Sequence, residues 1–233
     1  FLSHAHGDHA RCLLRHESLR RLMNMTPATY YVPRETLPGF EALAKAWRML
    51  ELVREGKGKT SRFVPMEPGN EVWLNRQLAV RAFKADHSLP SLGYTVFEVR
   101  KKLKPEYQKL SGLELGALRR KGESFEEVHW LPRITYIGDC SIDTLYRERH
   151  IGQSKILLIE VTYLLEEERA MARERGHTHL DDLLTLVEAH PDLLQNEHIV
   201  LKHFSMRYDR NLILNVLKSR LPDHLRERVH VLV

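Results

Sequence analysis

Phe1-Leu2-Ser3-His4-Ala5-His6-Gly7-Asp8-His9 is the stretch on which the reading of this chain turns. Its apolar start reads as a strand that runs into a tight loop. The two-residue period of an extended chain puts His4 and His6 on one side. Asp8 and His9 are expected to turn back toward the same cavity, with Gly7 permitting the bend. Imidazole nitrogen and carboxylate oxygen suit zinc, and other first-row metals less selectively. Four ligand-type residues in six positions exceed what one ion usually takes from one loop, so two ions are expected. A strand at the very first residue needs sheet neighbours to pair with, so strands preceding Phe1 are expected to be missing from this sequence.

Three further residues share that setting, a ligand-type side chain just beyond an apolar strand. His87 follows Leu78 to Phe83, Asp139 follows Ile134 to Ile137 and Gly138, and His203 follows His198 to Leu201. A lone histidine at a strand end is more often structural. Three such residues beside the opening motif make seven ligands, which fits two metals sharing one carboxylate. Such a pair, roughly 3.5 to 4 Å apart, lowers the pKa of a bound water and clamps phosphate oxygens.

The surrounding pattern is that of an α/β protein. Helices are expected at Cys12 to Met23, Phe40 to Arg54 (stopped by Gly56), Leu180 to Ala189 and from Asp209 to Leu217. Strands are expected at Thr29 to Val32, Arg62 to Pro65, Glu71 to Leu74, Leu78 to Phe83, Tyr94 to Val99, Ile134 to Ile137, Ile156 to Glu160 and His198 to Leu201. Strands come first and then alternate with helices, which suits mixed sheets. The whole of 1–233 reads as one domain. From it 100–122 is expected to project as an excursion, with Arg100, Lys101, Lys102, Lys104, Lys109, Arg119, Arg120 and Lys121 set against few acids. The formal net charge of +5 fits a polyanionic partner without requiring one. No apolar run approaches the roughly 18 to 20 residues of a membrane helix. The two cysteines, Cys12 and Cys140, are read as reduced thiols rather than a disulfide framework.

Taken together, FLSHAHGDH (1–9), HSLPSLGY (87–94), ITYIGDC (134–140), GHTHLDD (176–182) and KHFSMRY (202–208) stand in the order seen in the metallo-β-lactamase fold. They most resemble the short form of tRNase Z, the endonuclease that trims tRNA 3′ ends. The resemblance implies an αββα sandwich of two mixed β-sheets between helices. It assigns His4, His6 and His87 to a first zinc, Asp8, His9 and His203 to a second, and Asp139 to both, giving two zinc ions per subunit. It implies cleavage of the 3′ trailer from precursor tRNA by a metal-activated hydroxide, with Asp8, His177 and Glu160 in the chemistry. His177 would protonate the departing 3′ oxygen and Glu160 would orient it; His179 would assist His177 or merely start a helix. Arg207 and Tyr208 would touch substrate phosphate or buttress the His203 loop. The basic excursion, through Lys101, Lys102, Lys104, Arg119, Arg120 and Lys121, would clamp the tRNA. A cytoplasmic homodimer is implied as well. The match departs at the arm, which lacks the family's Gly-Pro-rich tip, and at Cys140, where Thr is usual. The competing readings are the same metal site acting on another ester, as a phosphodiesterase or small-molecule hydrolase without RNA, and a non-catalytic RNA-binding scaffold.

Overall fold

A computed structural model of the chain describes residues 1–53 and 60–233. Two short helices, α1 (Gly7–Ala10) and α2 (Cys12–Leu22), follow the opening motif. Then come β1 (Thr29–Pro33), α3 (Leu37–Leu50), β2 (Arg62–Met66), β3 (Glu71–Trp73), β4 (Leu78–Ala85), β5 (Ser91–Leu103), α4 (Gly112–Arg120) and β6 (Glu126–Tyr136). The second half runs α5 (Asp143–Arg147), β7 (Ile156–Glu160), α6 (Arg169–Arg175), α7 (Leu180–Ala189), β8 (His198–Lys202), α8 (Arg210–Arg220), α9 (Asp223–Arg226) and β9 (Val229–Val231).

Seven strands form one sheet in the order β3-β4-β5-β6-β7-β8-β9. Pairing is antiparallel from β3 to β6, with short turns before β4 and β5 and the α4 segment before β6, and parallel from β6 to β9, where helical crossovers return the chain. A smaller sheet of two parallel strands, β1 and β2, lies beside it. On one face of the large sheet Leu157, Ile159, Ile199 and Leu201 pack with Leu180, Leu183 and Leu186 of α7 and with Ile213 and Leu217 of α8. On the other, Val80, Ala82, Leu92 and Tyr94 pack with Met66 of β2. The outer side of the small sheet is covered by α2 and α3 through Leu13, Phe40, Tyr30 and Val32. The layers are therefore helix, sheet, sheet, helix, the expected α/β sandwich.

Several expectations shift in detail. The Phe1–Ser3 segment is no strand: it makes one backbone bond to each neighbour, Leu2 N–H to Tyr31 O at 2.8 Å and Leu92 N–H to Ser3 O at 2.9 Å, too few for a ladder. Helix α3 begins three residues early because Pro38 fits its first turn, and it ends at Leu50. Arg54 and Gly56, where that helix was expected to stop, lie outside the described residues. Its expected apolar stripe is only half used, with Phe40 and Ala44 buried while Leu43 and Leu50 stay exposed. Excursion 100–122 starts inside the large sheet, since Arg100 to Leu103 pair with His129 to Glu126. What projects is therefore a hairpin extension tipped by α4, which Ser111 and Glu114 start with a reciprocal capping box. Both cysteines are free, Cys12 exposed and Cys140 buried.

Gly93 shows how closely the sheet and its first core fit, because a Cβ there would overlap the buried Phe83 ring. Gly93→Ala is expected to destabilise the protein by about 1–3 kcal/mol, the usual range for overpacking. Denaturant unfolding should show Phe83→Leu restoring part of that loss; equal stability of Gly93→Ala and wild type would refute the tight fit.

Candidate metal centre

Strands β4, β6, β7 and β8 all run toward one edge of the large sheet, and each delivers a polar side chain at its last residue or just past it. These are His87, Asp139, Glu160 and His203. Grouping at the carboxyl ends of strands is the usual place for a site in such sheets. The opening motif meets them because Gly138 leaves room for it: a Cβ there would lie 2.6 Å from Ser3 Cβ. Tyr94 donates from its hydroxyl to Leu2 O at 2.6 Å and holds the segment down. Gly7, expected to supply the bend, does not. It has no left-handed φ and open space at its Cβ position, and the turn is made by α1 itself, whose first residues include Asp8 and His9.

The seven expected ligands form two adjoining clusters. His4, His6, His87 and Asp139 make one, and Asp8, His9, His203 and Asp139 the other. In the first, His6 Nδ1 lies 3.1 Å from His4 Nε2 and 3.2 Å from His87 Nε2, with Asp139 Oδ2 3.7 Å from His4 Nε2. In the second, His9 Nε2 is 3.1 Å from Asp139 Oδ1 and 3.4 Å from His203 Nε2, and Asp8 Oδ2 is 3.2 Å from His203 Nε2. A tetrahedral ion with ligands at about 2.0–2.1 Å spaces its donors by about 3.3 Å, so both clusters have the right size. Asp139 Oδ1 is buried without a hydrogen bond despite its nearness to His9, which leaves its lone pairs for a cation.

Partners behind the ligands set their protonation. His87 Nδ1 donates to Gly176 O at 2.9 Å, and His4 Nδ1 lies 3.1 Å from Ser3 Oγ, so each leaves Nε2 facing the centre. Burial depresses the His4 imidazole to about 3 and lowers that of His87, keeping both neutral as metal ligands require. Burial alone would raise Asp139, but the close approach of His9, with His203 and His4 beside it, holds it well below the usual carboxylate range. His203 itself sits in the left-handed region, at φ 61°, a conformation that surrounding contacts must sustain.

Beside the second cluster lies a buried carboxylate. Glu160 is fully buried, so the alternative of a surface acid at a strand end is excluded. Its Oε1 accepts from His177 Nδ1 at 2.9 Å and from the backbone N–H of Cys140 and Thr178; its Oε2 accepts from Thr162 N–H and hydroxyl. Burial would lower the pKa of His177, yet the hydrogen bond and charge of Glu160, aided by Asp139, outweigh it and raise it above the ordinary histidine value.

Other expected residues fall outside this centre. His179 is buried as the N-cap of α7, accepting from Asp181 N–H and reaching Leu165 O at 2.9 Å, so it starts the helix. Arg207 binds the buried Glu168 at 2.6 Å, and Tyr208 accepts from Leu164 N–H at 3.1 Å; both buttress the His203 loop instead of reaching into the site. The arm residues Lys101, Lys102, Lys104, Arg119, Arg120 and Lys121 lie toward the far end of β5 and beyond it. Arg100 is about 30 Å along that strand from Ser91 at the rate of a β-strand's rise. Part of the arm's charge is paired, Arg100 with Glu98, Lys101 with Glu126 at 3.8 Å and Arg119 with Glu126 at 3.9 Å. Sequence reading missed Ser3 and Thr162, because a hydroxyl next to a ligand-bearing strand carries no spacing signal of its own.

With this geometry in hand, comparison with known proteins fixes the lineage. The β-lactamase superfamily domain model matches residues 1–204. The protein tRNase Z TRZ1 of Arabidopsis thaliana is 32% identical over 235 residues, covering 100% of this chain and 81% of that protein. The chain belongs to the tRNase Z family. A second Arabidopsis thaliana relative, the chloroplastic tRNase Z TRZ2, is 28% identical over 89% of this chain and 57% of its own length. The human short-form tRNase Z (ELAC1) structure shares the fold, with a TM-score of 0.59 at 20% identity over 100% of this chain and 74% of that one. As a member of that family with the metallo-β-lactamase fold, the protein is a metal-dependent hydrolase whose His and Asp clusters suit divalent ions.

Because one buried carboxylate serves both clusters, Asp139→Asn is expected to lose both ions together. Elemental analysis after dialysis against zinc should find two equivalents in wild type and fewer than one in the variant. A variant retaining a full equivalent at wild-type affinity would show that the clusters do not depend on a shared charge.

Proposed function

We propose that this protein is a zinc-dependent endoribonuclease that removes the 3′ trailer from precursor tRNA. The observation that carries the reading is the conjunction of two clusters sharing Asp139 with the Glu160–His177 pair beside them, in a chain related to tRNase Z TRZ1 along its whole length. When bound, two zinc ions held by His4, His6, His87, Asp8, His9, His203 and Asp139 would activate water and clamp phosphate oxygens.

The protein's own groups do the rest. His177, its Nδ1 tied to Glu160, holds a proton above the ordinary histidine range and presents its other nitrogen for the departing 3′ oxygen. General acid catalysis of this kind is worth about 10²- to 10⁴-fold. The product pair is a 3′-hydroxyl on the tRNA and a 5′-phosphate on the trailer. The arm's exposed lysines and arginines make sequence-independent phosphate contacts, so affinity falls steeply with salt. Arg207 and Tyr208 act on substrate only through the loop they brace. We extend the resemblance to a homodimer and to a cytoplasmic location. No helix among the described residues is long and apolar enough to cross a membrane, although the relative TRZ2 is named chloroplastic.

Two experiments test this. With zinc and a 3′-extended precursor tRNA, wild type should cut once after the discriminator base and Asp139→Ala not at all. Replacing 105–124 by Asn-Gly, which joins the paired Lys104 and Phe125 by a two-residue turn, should cut RNA cleavage at least tenfold and spare a small phosphodiester. An uncut precursor beside hydrolysis of the small ester would instead make the protein a phosphodiesterase without an RNA substrate.

The second experiment is a pH profile of kcat. A general acid works while protonated, so the rate should fall as pH rises through the raised pKa of His177. Glu160→Gln removes the charge that raises it, and the alkaline limb should move to lower pH. An alkaline limb that stays in place would remove His177 from the acid role.

A further inference from the structure

Thr162 stands between the metal cluster and the acid pair, and each of its polar groups is used. Its N–H donates to Glu160 Oε2 at 2.8 Å, its carbonyl accepts from Ser205 N–H at 2.9 Å, and its hydroxyl lies 2.6 Å from the same Glu160 oxygen. Five donors converge on Glu160, so that carboxylate has no proton to give and the hydroxyl's single proton goes to it. A hydroxyl whose proton is spent can only accept from its remaining neighbours. His203 Nδ1, 3.0 Å from Thr162 Oγ, must therefore carry a hydrogen. The alternative partner of that nitrogen, Asp139 Oδ1, is farther away at 3.5 Å. The Nε2 of His203 is left as a lone pair facing Asp8 and His9.

We propose that Thr162 is a positioning residue that fixes the tautomer and seat of the metal ligand His203 by relaying the charge of Glu160. One carboxylate thus sets two imidazoles: His177 directly through Oε1, and His203 through Oε2 and the Thr162 hydroxyl. The chain is a carboxylate–hydroxyl–histidine–metal relay, one hydroxyl longer than the common carboxylate–histidine–metal arrangement. Thr162 also anchors the loop that carries His203 in its left-handed conformation, through the Ser205 bond. This inference rests on reading the second cluster as a metal site.

The test compares Thr162→Val, which keeps the size, with Thr162→Ser, which keeps the hydroxyl, in the full chain. Chelator competition with Zn(II) should show the weaker-bound ion losing roughly 10- to 100-fold in affinity in the Val variant, the usual effect of removing such a partner. Nitrogen-15 NMR of the metal-free protein should show His203 as one Nδ1–H tautomer in wild type and the Ser variant, and as a mixture in the Val variant. Turnover of a small aryl phosphodiester should fall in kcat with KM unchanged. Thr162→Ala read against Thr162→Ser gives the same contrast with a smaller side chain. Wild-type Zn(II) affinity and a single tautomer in Thr162→Val would overturn the proposal, as would equal losses in the Val and Ser variants. No readout uses RNA, so failure of the tRNA assignment leaves the test intact. A wild-type chain that takes up no Zn(II) would overturn the metal reading itself.

Discussion

An anionic carboxylate buried away from water needs positive charge or donors at contact distance, and Asp139 sets the terms for everything around it. It is almost fully buried, one of its oxygens has no hydrogen bond, and three imidazoles approach it. Of those imidazoles His4 is fully buried and stays neutral, so it adds no charge to balance the carboxylate. A pair of divalent ions would answer both needs at once and make the two clusters one electrostatic unit.

The fold serves that unit by alignment. Parallel pairing from β6 to β8 brings Asp139, Glu160 and His203 to one edge in successive strands, and two antiparallel steps, through β5 to β4, add His87. Loops then need only a few residues to bring the donors together. The rest is hydrogen-bonded bracing: Gly176 behind His87, Ser3 beside His4, Arg207 and Glu168 under the His203 loop. Gly176 can do this because it closes α6 in the left-handed conformation, with its backbone against His87; a Cβ there would lie 3.3 Å from His87 Cα.

Much of this was legible in the sequence. Alternation and apolar runs located every strand of the large sheet except β9, whose three residues are too few for a pattern. The residues of the two clusters stood out because imidazoles and carboxylates follow apolar strands within a few positions. What stayed hidden was of two kinds. Braces such as Thr162 and Ser3 use common residue types whose meaning appears only when distant segments meet. The roles of Arg207 and Tyr208 stayed open between phosphate contact and loop bracing because sequence cannot say which way a loop side chain turns; in the structure a buried Glu168 captures the arginine. Gly7 was misjudged differently: a helix start can turn a chain as sharply as a permissive glycine.

Asp8 and His203 stand 195 positions apart, yet their side chains meet at 3.2 Å. An ion held between them would behave as a reversible staple across nearly the whole polypeptide. It favours the native state over the unfolded one by an amount that grows with the logarithm of free ion concentration. The resistance of this protein to unfolding would thus be partly a property of its surroundings, and scarcity of metal would loosen the molecule as well as silence it.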